Sequence, residues 1–220
     1  MTEKENPLSE VEKEALKFLE RDFNQIFLQA RYYDAQIFDS FKFLFTIYLG
    51  LIGFLLTIYQ FSIKEKLDVG LPIVISSLLV SIIIGLFIQV VVTRNRAYFV
   101  QTMRYINEQR QLFLAYKPLG FNNVSRMYTN PNLPDYFNWK SSQAWLSHLI
   151  SFMNSIIVGL NIFLLFGLNY LAFIIVPMII LLLQLYIIKQ YLEAKENNKA
   201  KNDWSNKRTA FKKSSQSTSI

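Results

Sequence analysis

Long uncharged stretches dominate the pattern of hydrophobic and polar positions along the chain. Residues 43–63, 69–93 and 141–188 contain no Asp, Glu, Lys or Arg, and these stretches are 21, 25 and 48 residues long. The hydrocarbon core of a bilayer is about 30 Å thick and needs about 20 apolar residues of α-helix to cross it. The first two stretches therefore predict one transmembrane helix each, whereas the third is long enough for two.

The third stretch contains a candidate turn at Gly167-Leu168-Asn169, because Gly and Asn both tolerate turn geometry. We therefore expect transmembrane helices at residues 43–63, 69–93, 144–166 and 170–188. A soluble fold would have to bury all four among themselves, with too little polar surface left to cover them. The fold class predicted is all-α, a polytopic membrane protein with four transmembrane helices as two hairpins and long amphipathic cytoplasmic extensions.

The positive charges are distributed unevenly around these segments. Of the 23 Lys and Arg residues, 21 lie before residue 43, between residues 94 and 140 or after residue 188, and only Lys64 and Lys66 lie in the short turns. Cytoplasmic segments of membrane proteins carry the excess of Lys and Arg, so we expect both termini and the central segment to be cytoplasmic. The frequent Lys, Asn and Ile residues suggest an AT-rich bacterial genome, which makes the bacterial inner membrane the expected location.

The net charge of +7 is explained by the same distribution. Basic residues at the membrane rim attract anionic lipid headgroups, so the lipid bilayer is the expected partner of these charges. The sequence contains no recognisable nucleic-acid-binding motif, and we expect no nucleic acid partner.

The segments outside the bilayer are expected to be partly helical. A capping box at Ser9 and Glu12 starts an amphipathic helix within residues 1–42 that continues into the first span. Residues 94–117 predict a second cytoplasmic helix, and residues 189–220 form a basic tail that we expect to bind headgroups or to stay disordered. Asp22 and Arg110 fall on the apolar sides of the two cytoplasmic helices, where they either pair with each other or lie at the edge of the stripe.

Residues 118–143 predict an interfacial loop, since this segment contains three prolines and several asparagines. Its aromatic residues suit the headgroup layer, where a ring is half hydrated, and we expect them to act as interface anchors. The alternative is a lid or ligand-binding loop. The anchors expected in and next to the loop are Tyr128, Tyr136, Trp139 and Trp145.

Small residues recur along three of the expected spans. Helices in lipid associate through close packing, which small residues permit by letting backbones approach. The ridge serves either packing within one chain or an interface between copies. Its members are Ser147, Ser151, Ser155 and Gly159 in the third span, Ser77, Ser81 and Gly85 in the second, and Gly50 and Gly53 in the first.

Asn154 and Asn161 lie beside this ridge on one face of the third span. An unsatisfied amide in hydrocarbon costs several kcal/mol, so both side chains are expected to face another helix, another subunit or water. The functional alternative to simple helix packing is a polar pathway through an oligomeric pore.

Several classes of activity are disfavoured by what the sequence lacks. The expected spans contain no charged residue, whereas coupled transporters usually need one at depth. There is no cysteine, His148 is the only histidine, and no phosphate-binding or hydrolase motif is present. We therefore expect no catalytic residues, no cofactor and no metal, and a membrane-embedded enzyme is the least favoured alternative.

Two functional hypotheses remain. The first is a non-enzymatic, homo-oligomeric membrane protein that acts as a pore or channel-like effector controlled by its cytoplasmic helices. The alternative is a membrane scaffold that recruits a soluble cytoplasmic protein partner. In outline the chain is similar to small bacterial multi-span proteins, including membrane effectors of stress or phage defence, but an architectural likeness transfers no function.

Overall fold

The protein is described by a computed structural model over residues 9–65, 70–115, 123–124, 128–166 and 170–216. This part of the chain forms four helices and contains no strand. The helices are α1 (Glu10–Glu65), α2 (Gly70–Ala115), α3 (Ser142–Phe166) and α4 (Tyr170–Gln216). Each of them is long and apolar enough to cross a membrane, so the all-α class and the four apolar helices are confirmed. The first turn was expected at residues 64–68, but Lys64 and Glu65 still belong to α1. Residues 66–68, and the second turn expected at residues 167–169, lie outside the described residues.

The first helix begins where the capping box predicts. The Glu12 carboxylate accepts a 2.8 Å hydrogen bond from the backbone N–H of Ser9, and the Ser9 hydroxyl accepts one of 3.3 Å from the N–H of Glu12. These reciprocal bonds satisfy two amide groups that the first turn of a helix leaves free. The hydrogen bonds from Ser9 also lower the pKa of the Glu12 carboxyl.

The first part of the basic tail continues the last helix. Helix α4 does not end near residue 188 but continues to Gln216. Half of the residues from 189 to 216 are Lys, Glu, Gln or Ala, which are strong helix formers. An ion pair of 3.7 Å between Lys189 and Glu193, four residues apart, adds local support.

The contacts of the chain divide it into two compact units. Unit 1 comprises Met1–Ala35 and Tyr98–Asp135, and unit 2 comprises Gln36–Ala97 and Tyr136–Ile220. In unit 2, helix α3 packs on α4, and one apolar cluster joins α1, α2 and α3. Its buried members are Ile37, Leu44, Tyr48, Leu78, Ile88, Val92, Ile150 and Ile157.

The outer faces of the unit 2 helices are strongly apolar. Large side chains are exposed on all four helices, among them Phe54, Phe87, Phe152 and Leu182. Soluble monomers rarely expose apolar patches of this extent, whereas a lipid-facing surface requires them. The exposed surface thus agrees with the length and composition of the helices in indicating a membrane protein.

Unit 1 contains buried side chains, a contact between two tyrosine rings and hydrogen bonds from α2 to the following loop. The side chains of Ala30, Val100 and Ile106 are buried in it, and the rings of Tyr33 and Tyr98 meet at 5.4 Å between centroids. The buried side chains of α2 also hold the loop that follows. Arg104 Nε donates to the Pro134 carbonyl at 2.9 Å, and Asn107 Nδ2 donates to the carbonyls of Asn130 (3.1 Å) and Leu133 (2.8 Å).

Candidate functional site

The inward face of α3 carries a line of buried polar side chains. We call these residues and their hydrogen-bond partners on the other helices of unit 2 the polar track. From Gln143 to Asn161 is 18 residues, or about 27 Å of helix, which approaches the thickness of a bilayer core. The α3 members, all buried, are Gln143, Ser147, Ser151, Asn154, Ser155 and Asn161.

Gln89 of α2 forms the first group of the track. Its Nε2 donates to the Ser147 hydroxyl at 2.8 Å, and its Oε1 accepts from the Ser151 hydroxyl at 3.2 Å. Both ends of the buried amide are therefore satisfied, as an apolar environment requires. The Ser147 and Ser151 members of the small-residue ridge are thus hydrogen-bonded to another helix of the same chain.

A second group joins three helices around Asn154, which is fully buried. The Tyr48 hydroxyl of α1 donates to Asn154 Oδ1 at 2.6 Å, and Asn154 Nδ2 donates to Gln184 Oε1 of α4 at 3.4 Å. Gln184 Nε2 in turn donates to the Ser155 hydroxyl at 3.3 Å. Asn154 therefore faces other helices of its own chain, which is one of the environments that the sequence allowed.

Gly85 on α2 leaves the space that this group occupies. A Cβ atom at Gly85 would overlap the Tyr48 hydroxyl and the Asn154 carboxamide oxygen. Ser81, one turn earlier, is also buried, and its carbonyl lies 3.4 Å from the Tyr48 hydroxyl. The Ser81 and Gly85 members of the small-residue ridge therefore pack within the chain.

An apolar interruption separates the Asn154 group from Asn161. Ile157 and Gly159 are buried here, and a Cβ atom at Gly159 would overlap the ring of Pro177 in α4. Beyond the interruption, Asn161 Nδ2 donates to the Ile75 carbonyl of α2 at 3.2 Å. The polar track is consequently broken by one short apolar contact.

The glycines of α1 behave differently from the rest of the ridge. Gly50 and Gly53 are exposed, and a Cβ atom at either position would have no neighbour within 4 Å. Gly50 borders an open groove that is also lined by Ser77 of α2. Gly50 and Gly53 therefore do not serve packing within the described part of the chain, and both glycines remain candidates for an interface between copies.

The other end of the track is closed by a buried arginine. Arg96 Nη1 donates to Gln143 Oε1 at 2.6 Å, and Arg96 Nε donates to the Tyr136 carbonyl at 3.4 Å. Tyr136 is only 6% exposed, so it does not lie half hydrated as an interface anchor would. Tyr128, Trp139 and Trp145 are exposed, as an anchoring role requires.

The two charges that the sequence placed on apolar faces have other partners in unit 1. The Asp22 carboxylate accepts hydrogen bonds from the Tyr105 hydroxyl at 2.9 Å and from Gln109 Nε2 at 2.6 Å. The Arg110 guanidinium lies over the rings of Phe23 and Tyr128, at 5.6 and 5.3 Å from their centroids. The ion pair was one of the two alternatives that the sequence left open, and in the described residues other groups contact both side chains. Neutral donors reach the carboxylate, and aromatic faces attract the cation.

Several residues of the site were not singled out from the sequence. Gln89 and Gln184 are uncharged residues within expected spans, and their contacts with the Ser and Asn residues of α3 depend on how the helices pack. Arg96 lies just after the second span, where a basic residue is usually solvated. A usable signal was the rarity of amide side chains in apolar helices, which applies to Gln89 and Gln184 as well as to Asn154.

Comparison of the chain with protein-family models, with curated proteins and with solved structures finds no match.

Proposed function

We propose that this chain is a non-enzymatic protein of a bacterial inner membrane that acts as a channel-like effector, with the polar track as its pathway and the cytoplasmic helices as its control. The observation that carries the proposal is the α3 part of the track, six buried and uncharged polar side chains that extend over about the thickness of a bilayer core. Polar groups inside a membrane are costly and are usually retained for function.

The proposed resting state is closed. The polar groups described above are hydrogen-bonded to one another, and Ile157 and Gly159 interrupt the line with an apolar contact. Apolar constrictions gate channels by excluding water, and a small outward movement of the surrounding helices is enough to let water in. The amide and hydroxyl groups on both sides would then exchange their mutual hydrogen bonds for bonds to water.

Association of several copies fits the same proposal. The exposed Gly50 and Gly53 on α1 would allow a helix of a second copy to approach closely. The pathway would then lie within each chain, because the side chains of the track point inward in unit 2. This placement differs from a pore lined between subunits, which the sequence alone allowed.

The proposal is tested by substitution at the apolar interruption. Purified protein in liposomes is assayed for ion flux, and Ile157→Ser is compared with the wild type and with Ile156→Ser. Ile156 is the adjacent residue and is exposed on the outer face of α3. A hydroxyl at residue 157 should favour water in the constriction and raise the flux at least tenfold, whereas Ile156→Ser should not. Equal flux in all three proteins would contradict the proposed pathway.

A scaffold is the second candidate, and one observation favours it. Helix α1 exposes Val11, Phe18 and Leu28 in unit 1, apolar side chains without cover in the described chain. A soluble partner recruited to the membrane would bury such residues. Absence of flux under every trigger, together with a cytoplasmic protein whose co-purification is lost in Phe18→Ser, would favour the scaffold over the channel.

A further inference from the structure

A small cavity lies beside the end of the polar track at Gln143 and Ser147. Its volume is about 20 Å³, which is enough for a single water molecule. Residues of α2, α3, α4 and the segment before α3 enclose it. The lining includes Thr93, Arg96, Tyr136, Ser147, His148 and Ile188.

The imidazole of His148 lines this cavity, and its ring nitrogens lack hydrogen-bond partners in the described part of the chain. Both ring nitrogens are buried and have no hydrogen-bond partner among the described residues. A neutral imidazole carries a hydrogen on one nitrogen and a lone pair on the other, so whichever tautomer is present leaves a donor and an acceptor unpaired. Buried polar atoms of this kind are normally satisfied by protein or by ordered water. A water in the cavity is the partner that fits.

Two tryptophan rings lie beside His148. The Trp139 ring lies 4.6 Å from the imidazole between centroids, and the Trp145 ring lies at 6.4 Å. Both tryptophans are more than half exposed, at 52% and 67%, so the aromatic side chains next to His148 reach the protein surface. An indole ring within about 6 Å attracts a cation through its face, and only the Trp139 ring of the two is that close to the imidazole.

A charged imidazole would act on the track through its neighbours. Arg96 is the charged residue that faces the cavity from α2, Tyr136 is the titratable residue that faces it from the segment before α3, and α4 contributes the apolar Ile188 and Leu192. Protonation would place a second positive charge near the Arg96 guanidinium, which donates to Gln143. It would also turn both imidazole nitrogens into donors that require acceptors. Both effects favour entry of water at the point where the polar track begins.

We infer that this cavity is a proton-sensing site that regulates the polar track, in which protonation of His148 admits water beside Ser147 and opens that end of the pathway. The inference rests on the proposed channel function. His148 is the only histidine of the chain, and histidine is the side chain whose charge ordinarily changes between pH 5 and pH 8.

The experiment uses two measurements, so that failure of the inference is distinguished from failure of the channel. In the first, Trp145→Phe and Trp204→Phe leave Trp139 as the single tryptophan, and its fluorescence is followed between pH 7.5 and pH 5.0. A protonated imidazole quenches indole emission on contact. We expect a reversible loss of emission on acidification that is absent when His148→Gln is added.

In the second measurement, liposomes with equal pH inside and outside are assayed for flux across the same range. We expect the flux of the wild type to rise at least tenfold on acidification, His148→Gln to lack the rise, and Leu149→Gln, a polar change on the exposed face of α3, to keep it. A rise that persists in His148→Gln, or Trp139 quenching that persists in it, overturns the inference. If the wild type conducts at no pH, the proposed function fails, and proton sensing then stands or falls with the Trp139 signal alone.

Discussion

The hydroxyl of Tyr48 on α1 donates a 2.6 Å hydrogen bond to the side-chain oxygen of Asn154 on α3, and both residues are buried in unit 2. The two residues are 106 positions apart in the sequence. Because Asn154 also donates to Gln184 on α4, this one bond connects the first expected span to the last two. It fixes the register of three helices with side chains that would be costly to leave unpaired in lipid.

Tyr48→Phe should therefore destabilise the protein in detergent. The substitution removes the hydroxyl and leaves Asn154 Oδ1 without this donor, which should cost about 0.5–1.5 kcal/mol of unfolding free energy. The matched control is Tyr59→Phe on the same helix, where the tyrosine is exposed. The measurement is denaturant-induced unfolding in a mild detergent. Equal stability of the two variants would show that the Tyr48 bond contributes nothing.

Gly85→Ala tests the close approach of α2 to the same bond. The new methyl group would overlap both the Tyr48 hydroxyl and the Asn154 oxygen, and either atom can move away only by breaking their hydrogen bond. We expect a loss of about 1–3 kcal/mol, as is typical of overpacked interiors. Gly53→Ala is the control, because a methyl group there meets nothing within 4 Å. Thermal unfolding that ranks Gly53→Ala as the more damaging change would refute the packing.

The Asp22 group in unit 1 predicts a dependence of stability on alkaline pH. The hydrogen bond to the Asp22 carboxylate raises the pKa of the Tyr105 hydroxyl above its ordinary value of about 10. Folding thus favours the neutral hydroxyl, so its contribution is complete below the ordinary pKa and is lost as the pH rises through the raised value. Since Tyr105 is largely exposed, the effect should be small. It should disappear in Tyr105→Phe, and unfolding curves at pH 8 and pH 11 measure it.

A double-mutant cycle separates this group from the ion pair that the sequence suggested. Asp22→Asn and Tyr105→Phe should be non-additive, because the two side chains share a hydrogen bond. Asp22→Asn and Arg110→Gln should be close to additive, since Arg110 lies against Phe23 and Tyr128 instead. If Asp22→Asn were additive with Tyr105→Phe and non-additive with Arg110→Gln, an ion pair between Asp22 and Arg110 would be supported instead.

The sequence was sufficient for the elements of the fold and insufficient for most of the contacts of the site. Charge-free stretches of bilayer length predicted the four apolar helices, and Ser9 with Glu12 predicted the start of α1, because both signals are local. The partners of Asn154 depend on how four helices are rotated against one another. That rotation is set by packing such as Gly85 against Tyr48 and Gly159 against Pro177, which a single sequence does not reveal.

The same reasoning explains the errors at the edges of the expected spans. A basic residue after an apolar stretch is usually solvated, and nothing local distinguishes Arg96, whose guanidinium is buried against Gln143 and the Tyr136 carbonyl. Composition placed Tyr136 with the interface aromatics, whereas its side chain is 6% exposed and its carbonyl accepts a hydrogen bond from Arg96.

Cysteine accessibility along α3 tests the central claim, that the polar track becomes a water-filled pathway, most directly. The chain has no cysteine of its own, so Ser151→Cys and Phe152→Cys each introduce a single thiol, one in the track and one on the exposed face of the helix. A charged, water-soluble thiol reagent needs a hydrated thiolate to react. The account predicts that Ser151→Cys reacts under conditions that produce flux, and that the reaction blocks the flux, while Phe152→Cys stays inert. An unreactive Ser151→Cys in a conducting protein would contradict it.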